Sequence, residues 1–417
     1  MEFFSQEIAT NGVASTLEKY IFDEEANADG RHMLTRVVSG AYVVLFFYLG
    51  KPSKSQIITA SIHLSKLEYV YQVCMCIIDL ISLTVWCGVQ DRHAFCNWLI
   101  LLTRERDVLL LIQTPFSGLA QACMHNPIQG TVFNIDKSPQ HNITLLELLR
   151  RVYDSPILKP IPYNPNMLLS ERIRRALANG GAEELQRLCA LYHISEHITD
   201  VDLDKKIKEC TFVATLLMSG TGRRGRKPRL DFFLMHLVTS SIFLKPLCAA
   251  LRNSEHKAAL LRAYVPVMMV YVLARGRPRI DPELIMSYSE SPRSPITAQK
   301  EYFKSTNQAT GNPWNDEDYN PWPTLIEGCL YHSDSHVLKA MRTLVLGASQ
   351  YGDTPPGQVP GSLNGEGKET HAGIGKVDGT LFVRAAGIMM DTLGWSGHGQ
   401  QEGEWDSSAL GWDAAWE

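Results

Sequence analysis

Apolar residues recur at helical spacing through most of this chain. They return every three or four positions, which places them on one face of a helix. The segments with this pattern are Ile143 to Tyr153, Leu169 to Tyr192, Leu203 to Met218, Ala258 to Ala274, Asp334 to Ser349 and Thr380 to Leu393. Alternating strand patterns are scarce, so the pattern predicts an all-α protein of packed helices.

The stretches between these segments are rich in proline, glycine and polar residues, which predict long irregular loops. They are Pro156 to Pro165, Gly220 to Pro228, Asp281 to Pro323, Tyr351 to Gly379 and the tail from Gly394; a shorter break at Asn179-Gly180-Gly181 predicts a turn between two helices. We predict one large multi-helix domain over residues 1–417, with a flexible loop over 351–379 and an irregular tail over 394–417. The tryptophans of the tail could form a docking segment, or they could pack nearby or stay disordered.

Composition allows a substantial core, because 45% of the 417 residues are apolar and 20% are charged. The net charge of −4 argues against a protein whose main role is to hold nucleic acid. An odd number of cysteines, nine, predicts reduced and buried thiols in a cytoplasmic protein. Val70 to Val89 has the length of a membrane span, but Asp79 lies at its centre. We therefore predict a buried helix there and no membrane span.

Two segments carry candidate chemistry. An almost wholly apolar run, Leu230 to Leu247, contains a single histidine, His236. A later predicted helix places His332, His336 and Lys339 at relative positions 0, 4 and 7, which is one stripe of a helix. Imidazoles are common ligands of iron, copper and zinc, and an apolar wall limits access of water. The pattern thus indicates a metal or oxygen-chemistry site built from two helices.

Structural interpretations of the same residues stay open. His236 could be a core histidine that is hydrogen-bonded to a backbone carbonyl or to Thr239. The stripe on the later helix could be a partly solvated face near Asp334, with His332 as a bystander. Lys339 could ligate a metal only if it were deprotonated or carbamylated, because an ammonium has no lone pair.

Three further motifs are weaker. Gly220 to Gly225 matches GxGxxG, but no strand–turn–helix context surrounds it, although its arginines could meet the 2′-phosphate of NADPH. His193 and His197 form an i, i+4 pair that we interpret as the end of a surface helix. Arg224 to Pro228 and Arg275 to Pro278 resemble AT-hook cores, which insert arginines into a narrow minor groove. Basic helix ends are the simpler account of both.

The segment Asp231 to Leu244 resembles the central signature of the fungal questin oxidase-like proteins. Other segments that match are Tyr271 to Arg279, Asp334 to Leu344, Asp378 to Ala386, Glu18 to Phe22, Ala26-Asn27 and His32 to Ala41. The resemblance implies an oxidoreductase of polyketide secondary metabolism, such as one that opens anthraquinone rings by a Baeyer–Villiger-type reaction, with relatives in aflatoxin-type pathways. It implies use of NADPH, and a histidine-rich non-haem iron site with a modified lysine is a further alternative.

The chain also departs from the family pattern. After Gly40-Ala41 the family continues with histidines, whereas this chain has Tyr42 to Tyr48. The resemblance is poor over residues 42–110, and a histidine-containing segment that usually lies upstream has no counterpart. We expect an N-terminally incomplete or altered chain that lacks part of any metal shell, so that its activity is impaired.

Taken together, the expected reaction inserts oxygen into an aromatic polyketide ring or cleaves it oxidatively, by a Baeyer–Villiger-type monooxygenase or a non-haem iron oxygenase mechanism. In the iron version His236 and His336 hold the metal, dioxygen binds at an open position, and Lys339 completes or polarises the shell. The alternative is a non-catalytic homologue, or a DNA-contacting protein that uses both Arg-Gly-Arg loops. For the aromatic substrate, a pocket could be lined by Phe232, Phe233 and Phe243.

Overall fold

A computed structural model describes residues 130–133, 135, 142–251, 253–295 and 319–417. The helices in these ranges are α1 (Leu145–Asp154), α2 (Leu169–Ala176), α3 (Gly181–Ala190), α4 (Asp200–Ser219), α5 (Phe232–Ser241), α6 (Leu244–Ala250), α7 (Ser254–Ala274), α8 (Pro282–Ser287), α9 (Pro321–Cys329), α10 (Ser335–Tyr351) and α11 (Leu381–Leu393). Short 3-10 turns form at Gly130–Phe133, Ile374–Lys376, Ser396–His398 and Asp413–Trp416. The described ranges contain isolated β-bridges but no sheet, which confirms the all-α prediction.

The eleven helices belong to one compact unit of the chain, Thr131–Glu417. The poorly matching segment 42–110 and the apolar stretch Val70 to Val89 lie outside the described residues, as do the N-terminal segments of the family resemblance. The single domain over residues 1–417 therefore stays a prediction, and so does the flexibility of 351–379. That loop has little regular structure, although Thr370 donates to the Gly361 carbonyl across it, at 2.7 Å.

Polar side chains at the helix starts explain why several predicted segments become helices with sharp beginnings. The hydroxyls of Thr144 and Thr199 accept from the backbone N–H groups of Glu147 and Asp202, at the starts of α1 and α4. Each bond satisfies one of the N–H groups that a helix leaves without a partner in its first turn. Asn179 and Gly180 have φ of 53° and 86°, and they form the predicted turn between α2 and α3.

Two segments differ from what their composition suggests. The apolar run Leu230 to Leu247 forms two helices, because α5 ends at Ser241 and α6 begins at Leu244. Pro246 lies in the first turn of α6, where its missing N–H leaves no helical bond unmade. The segment Asp281 to Pro323, predicted to be a loop, contains α8 after the N-cap Asp281 and the start of α9. In both of those helices proline stands in the first turn, where its fixed φ favours the helix.

Helix α4 lies at the centre of the packing and contacts α1, α5, α7 and α11, while α10 packs against both α5 and α11. Phe212 of α4 meets Phe382 of α11, with ring centroids 5.1 Å apart. Gly347 allows α10 to approach the same ring closely, because a Cβ atom there would lie 2.6 Å from Phe382. This packing fixes α10 beside α5, and these are the two helices that carry the candidate histidines.

Two helical stretches among the described residues, Phe232–Ala249 and Ser254–Ala274, are long and apolar enough to cross a membrane. Most of each window is buried inside the protein, 56% and 72%, and buried core helices meet the same criteria. Length and composition are thus weak evidence for a span here, and the absence of a span stays a prediction.

The C-terminal tail from Gly394 packs against its own chain. The Trp412 indole donates to the carbonyl of Ile161 at 2.8 Å, and Asp406 forms an ion pair with Arg229 at 2.5 Å. A small buried cluster forms around Leu410, Ala415 and Trp416, with Tyr163 packed against it. Among the two alternatives for the tail, these contacts favour local packing over disorder.

The described cysteines, Cys189, Cys210, Cys248 and Cys329, are all free and buried. Burial raises the pKa of each thiol, to about 12 for Cys248 and about 11 for Cys329. These four residues therefore behave as neutral packing groups, as the sequence predicts.

Candidate active site

Helices α5 and α10 bring three aromatic rings together. The centroids of His236 and His336 lie 5.3 Å apart, and the Phe232 ring lies 4.8 Å from the first and 5.0 Å from the second. The two histidines are 100 positions apart in the chain, yet they meet edge to face across one helix–helix contact. The predicted convergence of these two imidazoles is therefore present in the fold.

His236 keeps one nitrogen available for chemistry. Its Nδ1 lies 2.8 Å from the carbonyl oxygen of Phe232, which can only accept, so Nδ1 carries the proton and Nε2 keeps its lone pair. Burial lowers the pKa of His236 to about 4, and the neighbouring His336 and Lys339 lower it further against the opposing effect of the Phe232 carbonyl. The imidazole is therefore neutral at physiological pH, which is the form that binds metals.

Asp334 positions His336. Its carboxylate accepts from the backbone N–H of His336 at 2.9 Å, which caps α10, and from the ring Nδ1–H at 2.7 Å. Burial raises the pKa of Asp334, but the hydrogen bonds from His336 outweigh that effect and lower it overall. A carboxylate on the far nitrogen fixes the tautomer and orientation of a ligand histidine and makes the other nitrogen more basic. Asp334 was expected only to lie near the stripe, although an Asp-x-His order at a helix start could have indicated this role.

Lys339 lies one turn beyond His336 on α10, and only 6% of it is exposed. Its positive charge contributes to the lowered pKa of His236, so the amine lies near that imidazole. Thr343 donates to the Lys339 carbonyl at 3.1 Å and continues the same stripe of the helix. The structure therefore places His236, His336 and Lys339 in one neighbourhood, while their role in metal binding stays a prediction.

His332, the remaining member of the predicted set, has both ring nitrogens in use. Its Nδ1 accepts from the backbone N–H of Asp334 at 3.1 Å, and its Nε2 lies 3.0 Å from the carbonyl of Leu393. The first bond requires an unprotonated Nδ1, so Nε2 is the donor in the second. With this arrangement neither nitrogen offers a lone pair to an ion, and His332 instead joins α10 to the end of α11.

The distance between the two ring centroids is compatible both with a shared ion and with edge-to-face packing. Two rings bound through Nε2 at metal–nitrogen distances of about 2.1 Å have centroids roughly 4.5 to 5.5 Å apart, and the observed separation is 5.3 Å. Within the described ranges, no three His, Cys, Asp or Glu side chains are grouped to hold a metal. What these ranges provide is thus two imidazoles and one amine.

The phenylalanines predicted to line a substrate pocket have other surroundings. Phe232 packs on the two imidazoles, and Phe233 lies under the Arg275 guanidinium, 4.7 Å from its carbon. A cavity of about 290 Å³ lies farther along α5 and α10, beside α4 and α6, and none of the three phenylalanines lines it. Its walls include Ile207, Thr211, Ile242, Thr343, Leu346 and Gln350. Small polar residues on otherwise apolar helix faces were the signal that could have indicated this cavity.

In the structure, the residues of the three weaker motifs lie at a helix end, in loops or in ion pairs. Gly220 is the C-cap of α4, and the rest of the GxGxxG segment is a loop, so no strand–turn–helix unit forms there. His193 and His197 lie after the end of α3 in irregular chain, so they do not share a helix face. In the Arg-Gly-Arg loops, Arg224 pairs with Asp281 at 2.6 Å and the buried Arg275 pairs with Asp231 at 2.8 Å. Arginines held in this way are poorly placed to enter a DNA groove.

Comparisons with a family model and with known proteins point to the same family. A family model described as questin oxidase-like matches residues 114–344, a segment that contains His236, His336 and Lys339. A "Baeyer-Villiger oxidase mdpL" of Emericella nidulans is 24% identical over 255 residues, which cover 58% of this chain and 50% of that protein. A "Questin oxidase" of Aspergillus fumigatus is 26% identical over 242 residues, which cover 55% of this chain and 47% of that protein.

A third relative, "Baeyer-Villiger oxidase GME11358" of Pestalotiopsis microspora, is 25% identical over 104 residues, which cover 25% of this chain and 22% of that protein. The chain thus spans about half the length of the first two relatives and less of the third. Since the family model covers more than half of this chain, the chain belongs to the questin oxidase-like family.

Proposed function

We propose that this protein is an oxidoreductase of fungal secondary metabolism that uses dioxygen to insert oxygen into, or oxidatively cleave, an aromatic polyketide ring of the anthraquinone type. The names of the relatives support this reaction class. The observation that carries the proposal is the convergence of His236 and His336 from two helices, with Lys339 one turn beyond His336 on α10. Such a group of nitrogen ligands within an apolar wall is suited to an ion that handles oxygen.

Non-haem iron fits the residues of this site. His236 and His336 would hold it through Nε2, since each Nδ1–H is bound to an oxygen acceptor. When bound, iron supplies the redox chemistry that brings dioxygen and an aromatic substrate to reaction. Further ligands of the ion are left open.

The chain's own residues prepare the site. His236 is neutral above about pH 4, so metal binding does not have to displace a proton from it at physiological pH. Asp334 holds His336 in the orientation that leaves Nε2 available. Lys339 would act as a ligand only when deprotonated or carbamylated, and as an ammonium it would stabilise negative charge that develops on a substrate oxygen.

The cavity between α4, α5, α6 and α10 is our candidate for the aromatic substrate. Its volume of about 290 Å³ is near the lower limit of roughly 300 Å³ for small-molecule sites. Ile207, Ile242 and Leu346 offer apolar surface to a flat ring, while Thr211 and Thr343 add hydroxyl groups. The cavity is lined by later turns of the same two helices that carry the imidazoles, so the two features share α5 and α10.

NADPH remains an expectation from the family resemblance alone. The GxGxxG segment follows a helix and continues as a loop, so it does not form the phosphate-binding turn of a dinucleotide fold. We assign no NADPH-dependent step to these residues. The cytoplasmic location likewise stays a prediction.

Iron content tests the proposal directly. The purified full chain, loaded with Fe(II) under anaerobic conditions, should retain iron, and His236→Gln or His336→Gln should weaken retention at least tenfold. His197→Gln is the matched control, because His197 is exposed and lies away from the imidazole pair. Circular dichroism should show that all variants remain helical. Iron retention that is equal in all four proteins would mean that the two rings are only packed together.

Oxygen uptake with a hydroxyanthraquinone then separates an enzyme from a binding protein. With NADPH present as the two-electron donor that insertion of a single oxygen atom requires, iron-loaded wild type should consume oxygen when the quinone is added, and both glutamine variants should not. Binding of the quinone without oxygen uptake would instead support the non-catalytic alternative.

A further inference from the structure

A second cavity, of about 520 Å³, lies where three irregular segments meet. Its walls are the loop 221–224 after α4, the turn 276–281 after α7, and residues 410–413 of the tail. Four arginines line it, namely Arg223, Arg224, Arg277 and Arg279, against two aspartates, Asp281 and Asp413. Four positive charges and two negative charges leave an excess of two positive charges in the wall.

The two aspartates neutralise the arginines of the first loop. Arg224 donates to both oxygens of Asp281, at 2.6 and 2.8 Å, and reaches Glu283 at 3.0 Å. Arg223 forms an ion pair with Asp413 of the tail at 2.5 Å. Among the residues that line the cavity, no carboxylate is therefore left for the other two arginines.

Arg277 and Arg279 have fewer carboxylate partners. Arg277 donates from Nη1 to the carbonyls of Val152 and Ser155, which are uncharged. Arg279 donates to the Tyr153 carbonyl at 3.3 Å and forms an exposed ion pair with Asp154 at 3.5 Å. Burial lowers the pKa of Arg277, and the positive charge of Arg279 lowers it further, against the opposing effect of Asp154. Arg277 is thus a partly buried guanidinium that has no carboxylate among its hydrogen-bond partners in the described ranges.

The backbone holds this arrangement in an unusual conformation. Gly276 and Arg277 have φ of 82° and 55°, and positive φ is rare for a residue with a Cβ atom. Trp412 packs so closely that a Cβ atom at Gly276 would lie 2.3 Å from its ring. Gly411 also donates to the Arg275 carbonyl at 3.0 Å. The docked tail therefore holds the turn that presents Arg277 to the cavity.

We propose that this cavity binds a phosphate group of a small molecule, with Arg277 and Arg279 as the main contacts. A phosphate carries about −1.5 to −2 charges near pH 7, which is opposite in sign to the arginines that line the cavity. The planar guanidinium fork suits its tetrahedral oxygens better than a lysine would. The site is separate from the imidazole pair, so it goes beyond the proposed oxidation and stands or falls independently of iron binding.

Titration calorimetry with inorganic pyrophosphate tests the site on the full chain. The ionic strength is kept constant with chloride. Under these conditions wild type should bind pyrophosphate, and Arg279→Gln should weaken binding about tenfold. The double variant Arg277→Gln/Arg279→Gln should abolish it. Arg279 is exposed, so its single replacement should not unfold the protein. Arg174→Gln, which removes an exposed arginine paired with Glu171 outside the cavity, should bind like wild type.

A variant that should strengthen pyrophosphate binding provides a second test. Asp413→Asn releases Arg223 from its carboxylate, so pyrophosphate binding should tighten several-fold instead of weakening. NADPH, ATP and NADH as competitors then distinguish a nucleotide phosphate from free phosphate, because only a nucleotide site would favour them over pyrophosphate. Absence of pyrophosphate binding to wild type, or equal binding in the wild type and the double variant, would overturn the proposal.

Discussion

Two ionisable groups lie a turn and a half apart on the same helix, and they differ in how their charge is compensated. Asp231, at the start of α5, is fully buried and paired with the equally buried Arg275 at 2.8 Å. His236, on the next turns, is half-buried, and it is neutral because burial lowers its pKa to about 4.

Their neighbours explain the difference. Asp231 receives backbone N–H groups from Phe233 and Leu234 besides the guanidinium, and the positive end of the helix dipole favours its charge. His236 has only one carbonyl as partner, and its charged neighbours include Lys339. Burial raises the pKa of Asp231 and lowers the pKa of His236, so it opposes the charged form of both groups. The difference is that a guanidinium and two N–H groups act against this effect at Asp231, whereas a single carbonyl does so at His236.

Breaking the ion pair should have the largest effect. Asp231→Asn keeps an N-cap side chain but leaves the Arg275 guanidinium buried without its counter-charge. We expect the free energy of unfolding to fall by about 3–5 kcal/mol, measured by urea denaturation at pH 7. Glu171→Gln removes a carboxylate that pairs with exposed arginines on α2, and it should leave the unfolding curve nearly unchanged. A similar fall in the free energy of unfolding of both variants would mean that the buried ion pair stabilises the fold no more than an exposed one.

Acid should destabilise the protein through its neutral histidines. His236 and His371 have pKa values lowered to about 4, in both cases mainly by burial, whereas an unfolded histidine titrates near 6.5. Between pH 6.5 and 4 the unfolded chain therefore binds protons that the folded chain does not, so stability falls as the pH is lowered through this window.

Over this pH range the free energy of unfolding should change with pH by up to about 1.4 kcal/mol per pH unit for each such histidine. The variant His236→Gln/His371→Gln should lose that part of the slope below pH 6.5 and show no change in pH dependence above pH 7. Urea denaturation at a series of pH values measures it. A slope that the double replacement leaves intact would show that other groups control acid stability.

The fold was more predictable than the exact helix ends. Apolar periodicity is a local property, so α4, α7 and α10 could be located from spacing alone. The break between α5 and α6 could not be located from spacing, because the run around Ile242 is apolar on all sides and no change of face marks it. Tertiary packing determined that break, and a single sequence does not record such packing.

The candidate site was predictable in part for the same reason. His336 and Lys339 lie on one helix face, and their spacing in the sequence predicts this directly. His236 had to be joined to them through the family resemblance, since no local pattern links positions 100 residues apart. The hydrogen bond from His332 to the carbonyl of Leu393 was not predictable at all, because that partner lies on the end of another helix.

Asp334 allows a test of how His336 is oriented, because its carboxylate has two roles that a substitution can separate. It caps α10, and it accepts a hydrogen bond from the His336 ring. Asparagine is also a good N-cap, so Asp334→Asn should keep α10 capped and change the free energy of unfolding by less than about 0.5 kcal/mol. An amide cannot accept from the His336 ring with the strength of a carboxylate, and loss of such a partner typically weakens metal affinity about 10- to 100-fold. Competition for Fe(II) against a chromogenic chelator measures that affinity, and urea denaturation of the same samples measures stability. Thr199→Ser, a change of N-cap on α4 away from the site, serves as the control. A loss of stability without a loss of iron affinity would mean that Asp334 acts only as a cap, and that His336 owes its orientation to packing against Phe232.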